Sequence, residues 1–151
     1  MMEARAMARR AAWRTDFEAS AVIYAGGFGL RIILPIIPPS ANVLKRKFGR
    51  QIASNIRKAT TDIVGELLLA NIRMQRGLWR NPGKCRVVYC IYRAKVLDDE
   101  NVGGGTKPIT DALVELGILK DDSPEWLELT HFQIPTKLAG MRRTEIVIES
   151  L

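Results

Sequence analysis

The sequence predicts a single small domain of the α+β or mixed α/β class, with a mixed β-sheet, one long helix and one short helix. Its 151 residues suit one domain, interpreted as residues 26–151 after a frayed, basic N-terminal extension over 1–25. Hydrophobic residues make up 47% and charged residues 26%, which is typical of a globular protein rather than a disordered one. Strand-like and helix-like apolar patterns alternate along the chain, and none approaches the roughly 20 apolar residues of a membrane-spanning helix.

The first half of the chain predicts a strand followed by a long helix. Residues 30–37 form an aliphatic run that ends in a Pro-Pro-Ser turn, so they predict a strand. Apolar residues recur at helical spacing over 51–74 and predict one amphipathic helix. A bend or fraying is expected where Thr60 and Thr61 interrupt the pattern.

The second half predicts a central strand, a short helix and a hairpin. Residues 86–96 are β-branched and aromatic, as in a central strand. The three glycines at 103–105 predict a loop, after which Thr106 is expected to cap a short helix. Residues 127–134 and 144–148 are expected to pair with each other as a closing hairpin.

The charge of the chain is unevenly distributed. The net charge is +7 and the isoelectric point is about 9.8. Residues 1–50 carry +6 and residues 51–100 carry +4, whereas residues 101–151 carry −3. Such a pattern is typical of a protein that holds phosphates with its basic groups and divalent cations with its carboxylates. A solvated surface without a partner is the equally simple alternative.

The cysteine and histidine content excludes several classes of site. Cys85 and Cys90 are the only cysteines, and His131 is the only histidine. A disulfide framework and a Cys/His zinc site are therefore not expected, and a serine-type triad would depend on His131 alone. The cytoplasm, which is reducing, is the expected location.

Clustered carboxylates follow the predicted central strand. On an extended segment, Asp98 and Glu100 would point to the same side and Asp99 to the other. Two adjacent carboxylates repel each other unless a cation lies between them, and oxygen ligands favour Mg²⁺ or Mn²⁺. Asp121 and Asp122 follow the short helix and could return to the same site. The alternative is an ordinary polar loop and turn.

Lys107 has two interpretations. It lies one helical turn before Asp111, so a surface ion pair is the simpler one. In the functional interpretation, its ammonium lies beside a phosphate or an attacking water and stabilises developing charge. A lysine near a helix N-terminus is unfavourable for the helix dipole, which favours a role other than stability.

Four motifs together resemble the RusA family of crossover-junction endodeoxyribonucleases. The family pattern has a strand ending in Pro-Pro-Ser-x-Asn, then Asp-x-Asp-Asn, a helical Lys ahead of Asp-Ala-Leu, and a downstream Asp-Asp. The resemblance covers residues 30–150. The matching segments are Pro38-Pro39-Ser40-Ala41-Asn42, Asp98-Asp99-Glu100-Asn101, Lys107-Pro108-Ile109-Thr110-Asp111-Ala112-Leu113 and Asp121-Asp122.

The resemblance implies a homodimer that binds four-way DNA (Holliday) junctions and cuts two strands of like polarity. It implies that Asp98, Glu100 and Asp122 hold Mg²⁺, for which Mn²⁺ can substitute, and that Lys107 is the essential lysine. Two features depart from the pattern. Glu100 stands where the family has Asp, and the glycine run places Lys107 three residues further from Asn101.

Phosphate contacts are expected from a dense basic cluster formed by Lys45, Arg46, Lys47 and Arg50, with Asn42 nearby. Arg142 and Arg143 are further candidates of the same kind. A solvated basic turn is the alternative for the cluster.

Two other functions are compatible with the same residues. One is a branched-DNA-binding protein with weak or no catalysis, in which Glu100 does not hold a metal productively. The other is a metal-dependent hydrolase of small phosphates, although a small substrate does not need a wide basic surface.

Overall fold

The computed structural model describes residues 13–73, 78–80 and 83–151. They form one small α+β domain with a mixed five-stranded sheet and three helices, which confirms the predicted class. The helices are α1 (Ala41–Leu44), α2 (Gly49–Arg73) and α3 (Asp99–Glu115), and short 3₁₀ turns cover Ala25–Gly27 and Ala139–Met141. The strands are β1 (Ser20–Tyr24), β2 (Gly29–Leu34), β3 (Cys85–Arg93), β4 (Leu127–Pro135) and β5 (Arg143–Ser150).

The strands are ordered β1-β2-β5-β3-β4 across the sheet. All neighbours are antiparallel except β3 and β4, which are parallel and connected through α3. The predicted closing hairpin of 127–134 with 144–148 is therefore wrong, because β3 lies between β4 and β5. Both strands carry strand-like sequence, but alternation along a strand does not specify its neighbour.

The sheet buries the side chains of one face against the helices. Val87, Tyr89 and Ile91 of β3 are fully buried, and they belong to the same core cluster as Ile109 and Leu113 of α3. Burial of this apolar face is the main favourable contribution to folding.

The long helix α2 is continuous through the two threonines. Thr60 Oγ1 donates to the Ile56 carbonyl at 2.8 Å, and Thr61 Oγ1 donates to the Arg57 carbonyl at 2.9 Å. These bonds satisfy the hydroxyls within the helix, so the expected bend or fraying is not observed. The predicted end at Met74 lies outside the described residues, and the helix is described to Arg73.

Helix α3 begins eight residues earlier than predicted. Asp98 is its N-cap, and its carboxylate accepts from the Asn101 backbone N–H, so Thr106 does not cap the helix. The glycines at 103–105, which were predicted to form a loop, lie inside the helix. A Cβ at Gly105 would collide with the Pro39 carbonyl, and one at Gly104 would lie 2.5 Å from the Ala41 Cβ. The absence of side chains thus allows α3 to pack directly on Pro39 and on the first residue of α1.

The domain starts before residue 26. Trp13 is only 8% exposed, and Arg14 bridges to Ile36. β1 pairs with β2 along its whole length. The predicted basic extension over 1–25 is therefore wrong for residues 13–25, whereas residues 1–12 lie outside the described part of the chain.

The C-terminal ends of β2, β3 and β4 lie at one edge of the sheet, because β2 and β3 are both antiparallel to β5. The loops that lead to α1 and α3 leave from this edge. Within the described ranges, no helix has the length and apolar content needed to cross a membrane.

Candidate functional site

The Pro-Pro-Ser-x-Asn segment and the start of α3 are joined by hydrogen bonds through Asn101. The Asn101 side-chain amide donates to both carboxylate oxygens of Asp98 at 3.0 Å. Its oxygen accepts from the backbone N–H of Asn42 at 3.1 Å. Ser40 caps α1 by accepting from the Val43 backbone N–H. Asn42 therefore contributes its backbone to this group.

Lys107, in the middle of α3, bonds to two carboxylates, one on the same helix and one in the loop that follows it. Its Nζ donates to Asp122 Oδ2 at 3.0 Å and to Asp111 Oδ1 at 3.2 Å. The hydrogen bond from Lys107 lowers the pKa of Asp122 below its ordinary value, and the same bond raises the pKa of Lys107. Lys107 and Asp122 therefore carry full and opposite charges at neutral pH.

The helical start of α3 changes the geometry expected for the carboxylates. Residues two apart on a helix point about 200° apart, so Asp98 and Glu100 do not share a side as they would on an extended segment. Glu100 instead lies on the helix face that carries Lys107 and Asp111. Asp98 and Lys107 are nine residues apart, which is about 13 Å along the helix axis. The structure therefore contains two separate groups, one at Asp98 and one at Lys107.

The donors suit Mg²⁺ in type but not in arrangement. Asp98, Glu100 and Asp122 offer only carboxylate oxygens, which this ion prefers. Within residues 13–73, 78–80 and 83–151, however, no three His, Cys, Asp or Glu side chains are arranged to hold a metal ion together. Asp98 is bonded to Asn101 and Asp122 to Lys107. The three predicted carboxylates are therefore not grouped in the described structure, and the metal site stays a prediction.

The predicted basic cluster follows α1 and enters α2. All four of its side chains are exposed, and none takes part in an ion pair between described residues. Their charges are therefore available to an external anion. The cluster consists of Lys45, Arg46, Lys47 and Arg50.

Two contacts near the site were not predicted from the sequence. Thr106 bonds to His131 Nε2 at 2.7 Å, and Arg93 donates through Nη2 to the Pro38 carbonyl at 2.8 Å. Arg93 continues the alternation of Val87, Tyr89 and Ile91 toward the buried face of β3. A charged residue at such a position is the signal that could have identified it.

No family model matches the chain, and no curated protein matches its sequence. Among solved structures, a Salmonella typhimurium protein named as a putative translation initiation inhibitor aligns with a TM-score of 0.35 and 7% identity, covering 90% of this chain and 91% of that one. An OmpA-like domain from Francisella tularensis aligns with a TM-score of 0.33 and 12% identity, covering 89% of this chain and 82% of that one. Both TM-scores lie below 0.5, so neither similarity carries an argument about fold or function.

Proposed function

We propose that the chain is a structure-specific endonuclease of the RusA type, which resolves four-way DNA junctions by paired symmetric nicks during recombination and repair. The proposal includes Mg²⁺ as cofactor, a homodimer as the active form and the cytoplasm as its location. It rests on the sequence resemblance together with the contacts among the residues that carry the resemblance.

The contact of Lys107 with Asp122 is the observation that carries the proposal. The two residues belong to separate motifs of the resemblance, and they meet at 3.0 Å. A second link joins two further motifs, because the Asn42 N–H donates to Asn101. Unrelated surface residues would not be expected to form two contacts between separate motifs of the resemblance.

The charges of these residues suit a phosphodiester substrate. Lys107 remains protonated, because its carboxylate partners raise its pKa, and its ammonium can neutralise charge on a phosphate. The exposed basic cluster supplies further phosphate contacts. Mg²⁺ is commonly bound by one or two carboxylates together with substrate phosphates, so the cofactor is best tested with DNA present.

A DNA-binding protein without cleavage activity is the second candidate. It is favoured by the absence, among the described residues, of a three-carboxylate group arranged for a metal. Such a protein would bind branched DNA with or without Mg²⁺ and would leave every strand intact.

Cleavage of a labelled mobile four-way junction distinguishes the two candidates. We expect paired symmetric nicks in the junction, in Mg²⁺ or Mn²⁺, and none in a linear duplex. In Asp122→Asn, cleavage should fall at least a hundredfold, while junction affinity stays equal or increases because a negative charge near phosphate is removed. Denaturing gels and a gel-shift titration measure the two quantities.

Asp62→Asn is the matched control, because Asp62 is exposed on α2 and forms no ion pair with a described residue. It should cleave like the wild type. Junction binding without nicks in either metal would replace the proposal with the second candidate. Equal cleavage by Asp122→Asn and the wild type would remove Asp122 from the site.

A further inference from the structure

A positively charged cavity of about 390 Å³ lies beside the loops that carry the Asp98 group. It is open to solvent on one side and is lined by the segment before β1, the segment after β2, the loop after β3 and the turn before β5. Four cationic side chains and one carboxylate line it, so its formal charge is strongly positive. The charged residues are Arg14, Asp16, Arg93, Lys95 and Arg142.

Arg93 is a buried cation without a carboxylate partner in the described structure. Its side chain is part of a residue only 7% exposed, and Nη2 donates to the Pro38 carbonyl at 2.8 Å. Nη1 is buried, and no described atom accepts a hydrogen bond from it. Burial lowers the pKa of Arg93, yet a guanidinium does not lose its proton in proteins. A buried charge of this kind is costly unless an anion compensates it.

Arg142 lines the same cavity and also carries a buried donor without a partner. Its Nε is buried and has no acceptor among the residues that the structure describes. Guanidinium groups present several N–H donors in a plane and bind the oxygens of phosphate strongly. Two such groups, together with Lys95, line the cavity with a set of cationic donors suited to a tetrahedral oxyanion.

We propose that this cavity binds a phosphate group, namely a backbone phosphate of the DNA strand that enters the candidate site. The identity of the source rests on the proposed function, whereas the site itself does not. Lys95 lies three residues before Asp98, which limits their Cα separation to about 11 Å. A phosphate in the cavity would therefore lie within a few nucleotides of the Asp98 group and would fix the path of the strand.

Inorganic phosphate and a four-way junction are the two probes. We expect millimolar phosphate to raise the Tm of the wild type and to produce no increase in Arg142→Gln or Lys95→Gln. In junction binding without divalent metal, each variant should lower the slope of log K against log salt by about one. Arg93→Gln tests the buried group and is interpreted only if its circular dichroism matches that of the wild type.

Lys58→Gln is the matched control, because it removes one exposed charge from α2, outside the cavity. It should keep the phosphate-dependent increase in Tm. If Arg142→Gln and Lys95→Gln lose that increase but bind the junction with an unchanged salt slope, the site takes free phosphate and the DNA source is overturned. If neither measurement changes, the site itself is overturned. Absence of cleavage would contradict the proposed function alone, because these measurements need none.

Discussion

At the scale of single residues, the ring of His131 in the edge strand β4 is held by two contacts. It stacks on Tyr89 with ring centroids 5.2 Å apart and planes 9° apart. Thr106 Oγ1 donates to the Gly103 carbonyl, so it accepts the 2.7 Å bond from an Nε2–H of His131. A neutral imidazole satisfies this arrangement.

The stability of the fold should therefore decrease as the pH is lowered from 7.5 to 5.5. Burial lowers the pKa of His131 below its ordinary 6.5, against a smaller opposing effect of Asp99. Below pH 6.5, the unfolded chain binds a proton that the folded chain does not bind. The free energy of unfolding, measured with urea, should fall as the pH is lowered through this window. The single histidine signal in an NMR titration should have a midpoint below 6.5.

His131→Gln provides the control, because it removes the only histidine. Its free energy of unfolding should be almost independent of pH over the same window. An equally steep dependence in this variant would assign the effect to another group.

Residue spacing predicts contacts only within one element. The Lys107–Asp111 pair follows from helical spacing, and the structure contains it at 3.2 Å. The bond of Lys107 to Asp122 crosses from α3 to the following loop, so only the resemblance, not local spacing, indicated that the two residues act together. The bond of Arg93 to the Pro38 carbonyl was missed because the two residues are distant in the chain.

At the scale of elements, helix α3 tolerates three consecutive glycines because two of them are needed for packing. Gly104 and Gly105 face Ala41 and Pro39, whereas a Cβ at Gly103 would meet nothing within 4 Å. Glycine lowers helix propensity by about 1 kcal/mol relative to alanine, which explains why the sequence predicts a loop here. The start of α3 was therefore not predicted, because the glycines that suggest a loop are required by packing between distant segments.

Alanine substitutions should separate these two roles of glycine. Gly105→Ala would collide with the backbone of Pro39 and should lower the free energy of unfolding by about 1–3 kcal/mol. Gly103→Ala should raise it by about 0.5–1 kcal/mol, because it adds helix propensity without a clash. Urea denaturation measures both, and equal effects of the two substitutions would contradict the packing role.

Helix α2 shows the opposite case, in which a local pattern was sufficient. Its apolar spacing predicted 51–74, and the structure describes the helix as Gly49–Arg73. The insertion of β3 between β4 and β5 was not predictable in this way, since hydrogen bonds between strands join segments that are distant in the chain.

At the scale of the whole molecule, charge is segregated along the chain, with the basic cluster unpaired among the described residues. Polyanion binding through such a cluster releases counterions, and affinity falls steeply with salt. The net charge of +7, spread over the whole surface, would also attract a polyanion without the cluster, but with a weaker dependence of affinity on salt.

Removal of the cluster should separate these two cases. Replacing all four of its basic residues by Gln should reduce the salt slope of junction binding by about 3 to 4, at about 0.9 for each lost phosphate contact. The control carries the same loss of net charge at exposed positions elsewhere, and its slope should change by less than one. An equal change in both proteins would mean that net charge alone drives binding. The control replaces Lys58, Arg73, Lys84 and Lys137 by Gln.

The central position of β5 has a consequence for synthesis of the protein on the ribosome. β5 is hydrogen-bonded to β2 on one side and β3 on the other, and it is translated after both. Until it leaves the exit tunnel, the two strands present open edges, which can pair with strands of other nascent chains. A premature stop codon before Arg143 would therefore yield an aggregation-prone fragment with a divided sheet, not a shortened but working protein.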